Sequence, residues 1–248
     1  MPDSIGSAAL RWIRRILSFV WAHKVLSLVL LVLLVFASEF GSLPFLDVIR
    51  LKHERPGETA FMRMHAEQAR SKGTRASRRQ VWVSLNRIPR TAINAVIVAE
   101  DGTFWTHGGF DWFEFRESLK RNFSEGRAAR GASTITQQLV KNLYLSPSKD
   151  PLRKLKEWVL TWWIELNLPK ARILELYLNV IEWGPGMYGI EAGSQYHFGK
   201  PSAELSREEC ARLAAVIPSP KRFRANAQRG FVPRYSRMIL QRMEARGM

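Results

Sequence analysis

The sequence predicts a mainly helical domain preceded by one N-terminal membrane-spanning helix. Apolar residues recur at helical spacing in most segments after Ile93, and strand-like alternation is confined to residues 81–84. Val25 to Ser38 form an uncharged run of fourteen residues, VLSLVLLVLLVFAS. A chain of 248 residues has room for one domain of about 200 residues plus an anchor. Its net charge of +16 points to an anionic partner: nucleic acid, an acidic membrane surface or a phosphorylated substrate. Two basic zones carry that charge, residues 50–90 with eleven Lys or Arg against three Glu, and residues 221–248 with eight against one. The single cysteine, Cys210, sits in the apolar run CARLAAVI and reads as core; one thiol excludes an internal disulfide and any cysteine-cluster metal site.

In chain order, residues 1–18 read as a cytoplasmic N-terminus, 19–40 as the transmembrane helix, 41–80 as a juxtamembrane linker and 81–248 as the folded domain. A span requires about 20 residues. That length is reached by starting near Leu17, with His23 and Lys24 snorkelling, or at Lys24, with Glu39 near the far interface. Arg11, Arg14, Arg15 and Lys24 precede the run, whereas Arg50 and Lys52 beyond it are balanced by Glu39 and Asp47, so the positive-inside rule puts the N-terminus in the cytoplasm. A cleaved signal peptide is the competing reading, because Val35-Phe36-Ala37 passes as a small-residue cleavage site. Either way, everything from about residue 45 onward is exported.

Residues 50–80, with HERPGE and SKGTRASRRQ, are basic and poorly periodic, so order is expected to begin near Val81 with one short strand, Val81-Trp82-Val83-Ser84. A helix follows over Ile93–Glu100. Asp111 and Glu114 form a capping box, with Phe110 and Phe115 as its staple, opening a helix to about Phe123. Ser124 to Arg130 is breaker-rich and reads as a loop, and Thr134 with Gln137 makes a second capping box. Asp150-Pro151 starts a long helix to about Leu168, whose Leu152, Leu155, Val159, Trp162 and Leu166 make one apolar stripe. Ala171–Asn179 is helical and ends at the turn EWGPGMYG (182–189), with a short helix over 190–196. Ser206 with Glu209 caps a helix that stops at Pro218, and Pro233 opens a last basic helix.

Three short stretches carry chemistry. EDGTFWTH sets Glu100 and Asp101 beside Phe104 and His107; GASTITQQLVKN (131–142) puts hydroxyls, carboxamides and Lys141 on one helical segment; RKLKE (153–157) places Arg153 and Glu157 four apart on a helix face. Each has an ordinary reading alone: a helix-end charge, a satisfied loop histidine, capping or packing glutamines, a surface ion pair. Together they suit transfer of a sugar from a diphosphate carrier, whose leaving group is already a stable anion. Such a reaction needs a base on the acceptor hydroxyl and positive charge at the departing phosphates. Glu100 is the candidate base, and Lys141, Lys149, Arg153 and Lys154 are candidates for the diphosphate. Glu157 either orients Arg153 or helps hold a divalent cation.

These motifs, with ILELYLNVIEWGPGMYGIEAGSQYHFGK (173–200) and LSREECARLAAVIPSP (205–220), resemble the family 51 glycosyltransferases that polymerise lipid II. The resemblance covers roughly residues 90–220. It implies a lysozyme-like helical fold with a membrane-facing jaw, joining lipid II into β-1,4-linked glycan with inversion and release of undecaprenyl diphosphate. It implies that Glu100 deprotonates the acceptor 4-hydroxyl, that Lys141 and Arg153 bind the donor diphosphate, and that Glu157 is a second essential glutamate. Ser133, Thr134 and Gln137 would line the donor side, with Gln138 and Asn142 beside them, while Asp101, Phe104 and His107 shape the loop around the base. A divalent cation, Mg or Mn, is the expected cofactor, with Glu157 its candidate ligand. The partners implied are lipid II, growing lipid-linked glycan, the membrane and other wall-synthesis proteins, with no nucleic acid; the place implied is the bacterial inner membrane, catalytic domain in the periplasm. Ala132, Lys149 and Ser194 depart from the family pattern without removing a proposed charge. A chain ending at Met248 leaves no room for a transpeptidase domain, so a monofunctional enzyme is expected. The rival readings are a membrane-anchored muramidase or lytic transglycosylase that cleaves glycan, and a non-enzymatic basic module on anionic lipid or nucleic acid. Trp105, Trp112, Phe113 and Phe115 are expected either to dip into the outer leaflet or to pack in the core.

Overall fold

A computed structural model describes residues 12, 14, 18, 21–75, 77–125, 133–145 and 151–248. They belong to two compact units, Met1–Leu43 and Pro44–Met248. In the first, α1 (Lys24–Gly41) keeps its apolar side chains exposed from Val25 to Phe36. Among the described residues it supplies the one helix long and apolar enough to cross a membrane.

The second unit opens with α2 (Phe45–Arg50) and α3 (Ala60–Ser71), which corrects the expected linker over 41–80. The Trp163 indole N–H donates to the Phe45 carbonyl at 3.0 Å, and Thr59 caps α3 by accepting from the Met62 N–H. Val48, Leu51 and Met62 are buried, the last at 2 % exposure. His65 Nδ1 lies 2.7 Å from the Tyr188 hydroxyl, and burial, aided by Lys221, pushes its pKa down to about 4. These helices are short, so their periodicity is weak until partner helices supply the other half of the contact.

Next come α4 (Arg90–Glu100), α5 (Trp112–Glu125), α6 (Ile135–Tyr144), α7 (Pro151–Asn167) and α8 (Lys170–Val180). They are followed by α9 (Ile190–Phe198), α10 (Arg207–Ala214) and α11 (Phe231–Ala245). The axis is α8, whose Ile173, Leu174, Leu176, Tyr177, Leu178 and Val180 are all 0 % exposed. An apolar surface this broad has to be covered by neighbouring helices, while Arg172 and Glu175 stay on the less buried side. α6 packs against α8, α7 and α3, while α4 packs against α10 and α11. Both expected capping boxes with reciprocal bonds form, at Thr134/Gln137 and Ser206/Glu209, and Asp111 accepts the Glu114 N–H at the start of α5. α11 begins two residues before Pro233. A proline at its third position sacrifices no intrahelical bond.

The strand expected over 81–84 is not one. Val83 N–H donates to the Asn179 side-chain oxygen, and the Asn179 amide donates back to the Val83 carbonyl, each at 2.8 Å, so a buried side chain takes the place of a neighbouring strand. The sheet is instead β1 (Arg79–Gln80), β2 (Glu182–Gly184) and β3 (Met187–Tyr188), in the order β1-β3-β2. Arg79 and Gln80 run parallel to Met187 and Tyr188, and β2 is antiparallel to β3, so the expected turn EWGPGMYG is a hairpin. At its tip Gly186 has φ +73°, and a Cβ there would stand 2.1 Å from the Ser77 carbonyl oxygen.

The apolar stripe on α7 faces outward. Leu155, Trp162 and Leu166 are 44, 55 and 62 % exposed, while the opposite face buries Glu157, Leu160, Thr161 and Ile164, and Leu168 just past the helix end is buried as well. On α5, Trp112 and Phe113 are likewise exposed, and Trp112 stacks on Phe110, whose ring meets Trp158 of α7 edge-on. Apolar surface of this kind, left uncovered by the fold, marks an interaction face. Replacement Met62→Ala is expected to cost about 2–5 kcal/mol of unfolding free energy, as for a buried core side chain. Denaturant titration checks it; a linker residue would leave the midpoint where it was.

Candidate active site

Glu100 is the last residue of α4, a helix anchored by buried Ala95, Val96, Ile97 and Val98. Its half-buried carboxylate accepts the Gln138 amide at 2.8 Å through Oε2, and Gln138 Oε1 in turn accepts the Tyr177 hydroxyl at 2.9 Å. A phenol can only donate to that oxygen if it keeps its proton. Burial first, then Glu100, Asp101 and Tyr235, push the Tyr177 hydroxyl well above the usual phenol range, so it does. This fixes which end of the Gln138 carboxamide faces Glu100. Tyr177 was not singled out from sequence, although a tyrosine within an apolar helix face must find a partner for its hydroxyl.

Asp101, the next residue, turns the other way and is buried. Its Oδ2 accepts the Ile135 N–H at 2.9 Å, at the positive end of α6, and its Oδ1 meets His107 Nε2 at 2.8 Å. Because His107 Nδ1 accepts the Gly109 N–H at 3.0 Å, the ring proton sits on Nε2 and is donated to Asp101. Phe104 is fully buried, with the Lys170 ammonium 4.5 Å above its ring. Asp101, Phe104 and His107 are thus tied into the loop that follows Glu100. Trp105, half-exposed, packs edge-on against Phe104.

The expected donor-side residues divide. The Thr134 hydroxyl donates to the Gly109 carbonyl and accepts the Gln137 N–H, while the Gln137 side chain accepts the Thr134 N–H; both residues are buried. Asn142, also buried, donates to the Gln138 carbonyl at 2.8 Å. Their polar groups hold the fold of α6 and its entry loop. Ser133 is half-buried where that loop meets the helix, and Gln138 is the carboxamide that reaches Glu100. Lys149 lies outside the described residues, with Gly131, Ala132 and Asp150.

The cationic side rests on α6 and α7. Glu157, 3 % exposed, accepts Arg153 Nη1 at 2.9 Å on one oxygen and the Lys154 ammonium on the other. With Arg153 itself largely buried, this is no surface ion pair. Lys141 joins them: burial lowers its pKa most, Glu157 opposes that, Arg153 and Lys154 lower it further, and Glu100 opposes again. One ammonium thus feels both carboxylates and both neighbouring cations. Three cations around Glu157 leave a local surplus of positive charge fit for phosphate oxygens. The Lys141 ammonium also lies 5.9 Å from the centre of the Phe61 ring, which brings α3 to this neighbourhood. Sequence reasoning missed that contribution; the signal was Thr59 as N-cap ahead of Phe61, Met62 and His65.

A divalent cation does not fit at Glu157. Both its oxygens already meet protein cations, and among the described residues no cluster of three or more His, Cys, Asp or Glu could hold a metal ion.

The family model described as Transglycosylase matches residues 67–244. Over 199 residues the chain is 41 % identical to a biosynthetic peptidoglycan transglycosylase of Nitrosospira multiformis, covering 80 % of this chain and 86 % of that protein. A protein of the same name from Methylobacillus flagellatus is 38 % identical over 223 residues, covering 90 % of this chain and 95 % of its own length. One from Aromatoleum aromaticum is 42 % identical over 202 residues, covering 80 % and 86 %.

In the Asp101→Asn variant an amide N–H would confront either the His107 or the Ile135 N–H, and neither donor can turn away. The expected loss is about 1–3 kcal/mol of stability, the cost of a buried unsatisfied polar group, read as a fall in thermal midpoint.

Proposed function

From the premise that the chain belongs to the transglycosylase family, we propose that Glu100 is its general base and that Lys141, Arg153 and Lys154 hold the departing diphosphate. The protein is a peptidoglycan glycosyltransferase: it polymerises lipid II into glycan for the cell wall, forming β-1,4 links with inversion. The observation that supports the residue assignment is the pair of held carboxylates, Glu100 bonded by Gln138 and buried Glu157 bonded by Arg153 and Lys154, with a Lys141 ammonium whose proton affinity both carboxylates raise.

In the step so assigned, Glu100 takes the proton of the lipid II 4-hydroxyl as that oxygen bonds to the anomeric carbon of the growing chain. The bond from that carbon to the phosphate oxygen breaks, and its electron pair leaves on undecaprenyl diphosphate. No proton has to reach this leaving group, because the phosphates are already anionic and the three cations stabilise the added charge. Gln138, held by Tyr177, keeps the carboxylate aimed. Glu157 acts on Arg153 and Lys154, holding two like charges side by side. A divalent cation enters this reading only as a companion of the substrate's own phosphates.

A glycan-cleaving enzyme would need an acid for a sugar leaving group and would have no use for cations gathered on a buried carboxylate. That favours synthesis by this site. A single apolar helix anchors the protein to the membrane. The finer placement belongs to the proposal: inner membrane, N-terminus in the cytoplasm beside Arg11, Arg14 and Arg15, and domain in the periplasm. The outward aromatic and aliphatic side chains of α5 and α7 would rest in the outer leaflet, where the lipid-borne substrate lies. Other wall-synthesis proteins are the partners such an enzyme would meet there.

Glu100→Gln is expected to lower lipid II polymerisation at least ~100-fold with the melting curve unchanged, the scale of a lost general base. An unaltered rate removes Glu100 from the mechanism; shortening of preformed glycan without polymer would favour the cleaving enzyme. Residues 44–248 alone are expected to float with liposomes, and the combined Phe113→Ser, Trp162→Ser and Leu166→Ser substitutions to abolish flotation.

A further inference from the structure

The C-terminal helix reaches the two carbonyls that bracket Glu100. The last carbonyls of a helix have no partner within it. At the end of α4 the Ile97 carbonyl is taken by the Asp101 N–H. The Ala99 carbonyl, one residue before Glu100, accepts the Tyr235 hydroxyl at 2.9 Å, across 136 positions of sequence. The Gly102 carbonyl, two residues after Glu100, accepts Arg246 Nη1 at 2.9 Å, across 144 positions. Tyr235 stands on α11, and Arg246 is the residue that caps it. Tyr235 is buried, its ring 5.1 Å from that of Phe231, so the hydroxyl has a fixed origin. Gly102 explains how Arg246 comes so close: a Cβ at that position would stand 2.7 Å from the guanidinium.

We infer that Tyr235 and Arg246 are positioning residues for glycosyl transfer, clamping the backbone from Ala99 to Gly102 so that the Glu100 carboxylate stays aimed at the acceptor hydroxyl. The inference rests on Glu100 being the base. Gln138 holds the tip of that side chain and α11 holds its root; proton transfer falls off steeply with misplacement of the base, so a loose root costs turnover. Both bonds end on backbone carbonyls beside Glu100, so turnover rather than substrate affinity is what the clamp is expected to set.

The test uses the full chain and lipid II, with kcat and KM determined separately in wild-type and Glu100→Gln backgrounds and melting curves as the check on folding. Tyr235→Phe keeps the ring and removes only the donor. Arg246→Ala removes the guanidinium, and Arg246→Lys returns a donor able to reach the carbonyl. Tyr235→Phe and Arg246→Ala are each expected to lower kcat by roughly three- to tenfold and to leave KM within roughly twofold. Arg246→Lys recovers most of the loss, and neither substitution lowers the residual rate once Glu100→Gln is present. Unchanged kcat in Tyr235→Phe and Arg246→Ala, or an equal loss in the Glu100→Gln background, overturns the clamp. A wild-type rate in Glu100→Gln alone overturns the base assignment instead.

Discussion

The Gln138 carboxamide is the point on which the site depends. One end accepts the Tyr177 hydroxyl from α8, the other donates a hydrogen bond to the Glu100 carboxylate at the end of α4, and Gln138 itself stands on α6 between them. Three helices packed for ordinary apolar reasons thereby agree on the direction of one charged side chain. A glutamate at a helix terminus has three side-chain torsions to settle, and a neutral donor fixed from behind settles them without neutralising the charge the chemistry uses. Asp101, one residue on, spends its two oxygens on Ile135 and His107. Adjacent acids thus take different partners, Glu100 the Gln138 amide and Asp101 the start of α6 and its entry loop, and the direction of the backbone between them separates the two.

The opposite wall is organised by a buried carboxylate that carries no reacting atom. Cations repel one another, and holding Arg153 and Lys154 close to Lys141 costs free energy unless negative charge is built in. Glu157 supplies part of it, and an anionic substrate supplies the remainder. Burial lowers the proton affinity of Lys141, and the carboxylates of Glu157 and Glu100 oppose that. The same burial strengthens each contact to phosphate relative to water.

α7 serves this wall and a second purpose at once. The face with Glu157, Leu160 and Ile164 turns inward, and the face with Leu155, Trp162 and Leu166 turns to the surroundings. Amphipathicity usually points the apolar side at the core. Here the core takes a mixed face that encloses Glu157 beside its cations, and the apolar stripe is left exposed. The aromatic side chains of α5 extend the same surface chemistry.

Sequence alone determined whatever is decided within a turn or two of chain. The capping boxes at Thr134 and Ser206, the fourteen-residue apolar run, the ordered motifs and the Arg153–Glu157 spacing are local facts, because their bonds close within four residues. Which side chain touches Glu100 was beyond it: spacing from Thr134 marks Gln137 as the cap, but the contact of Gln138 with Glu100 depends on packing that also brings Tyr177, 39 residues away, to the same carboxamide. The same holds for Val83, paired with Asn179 across 96 residues, and for α3, whose short apolar edge has meaning only against α6. Local hydrogen bonds and periodicity are written in neighbouring residues, whereas the choice of which face is enclosed is made by the whole chain packing against itself, and tertiary structure had to decide it.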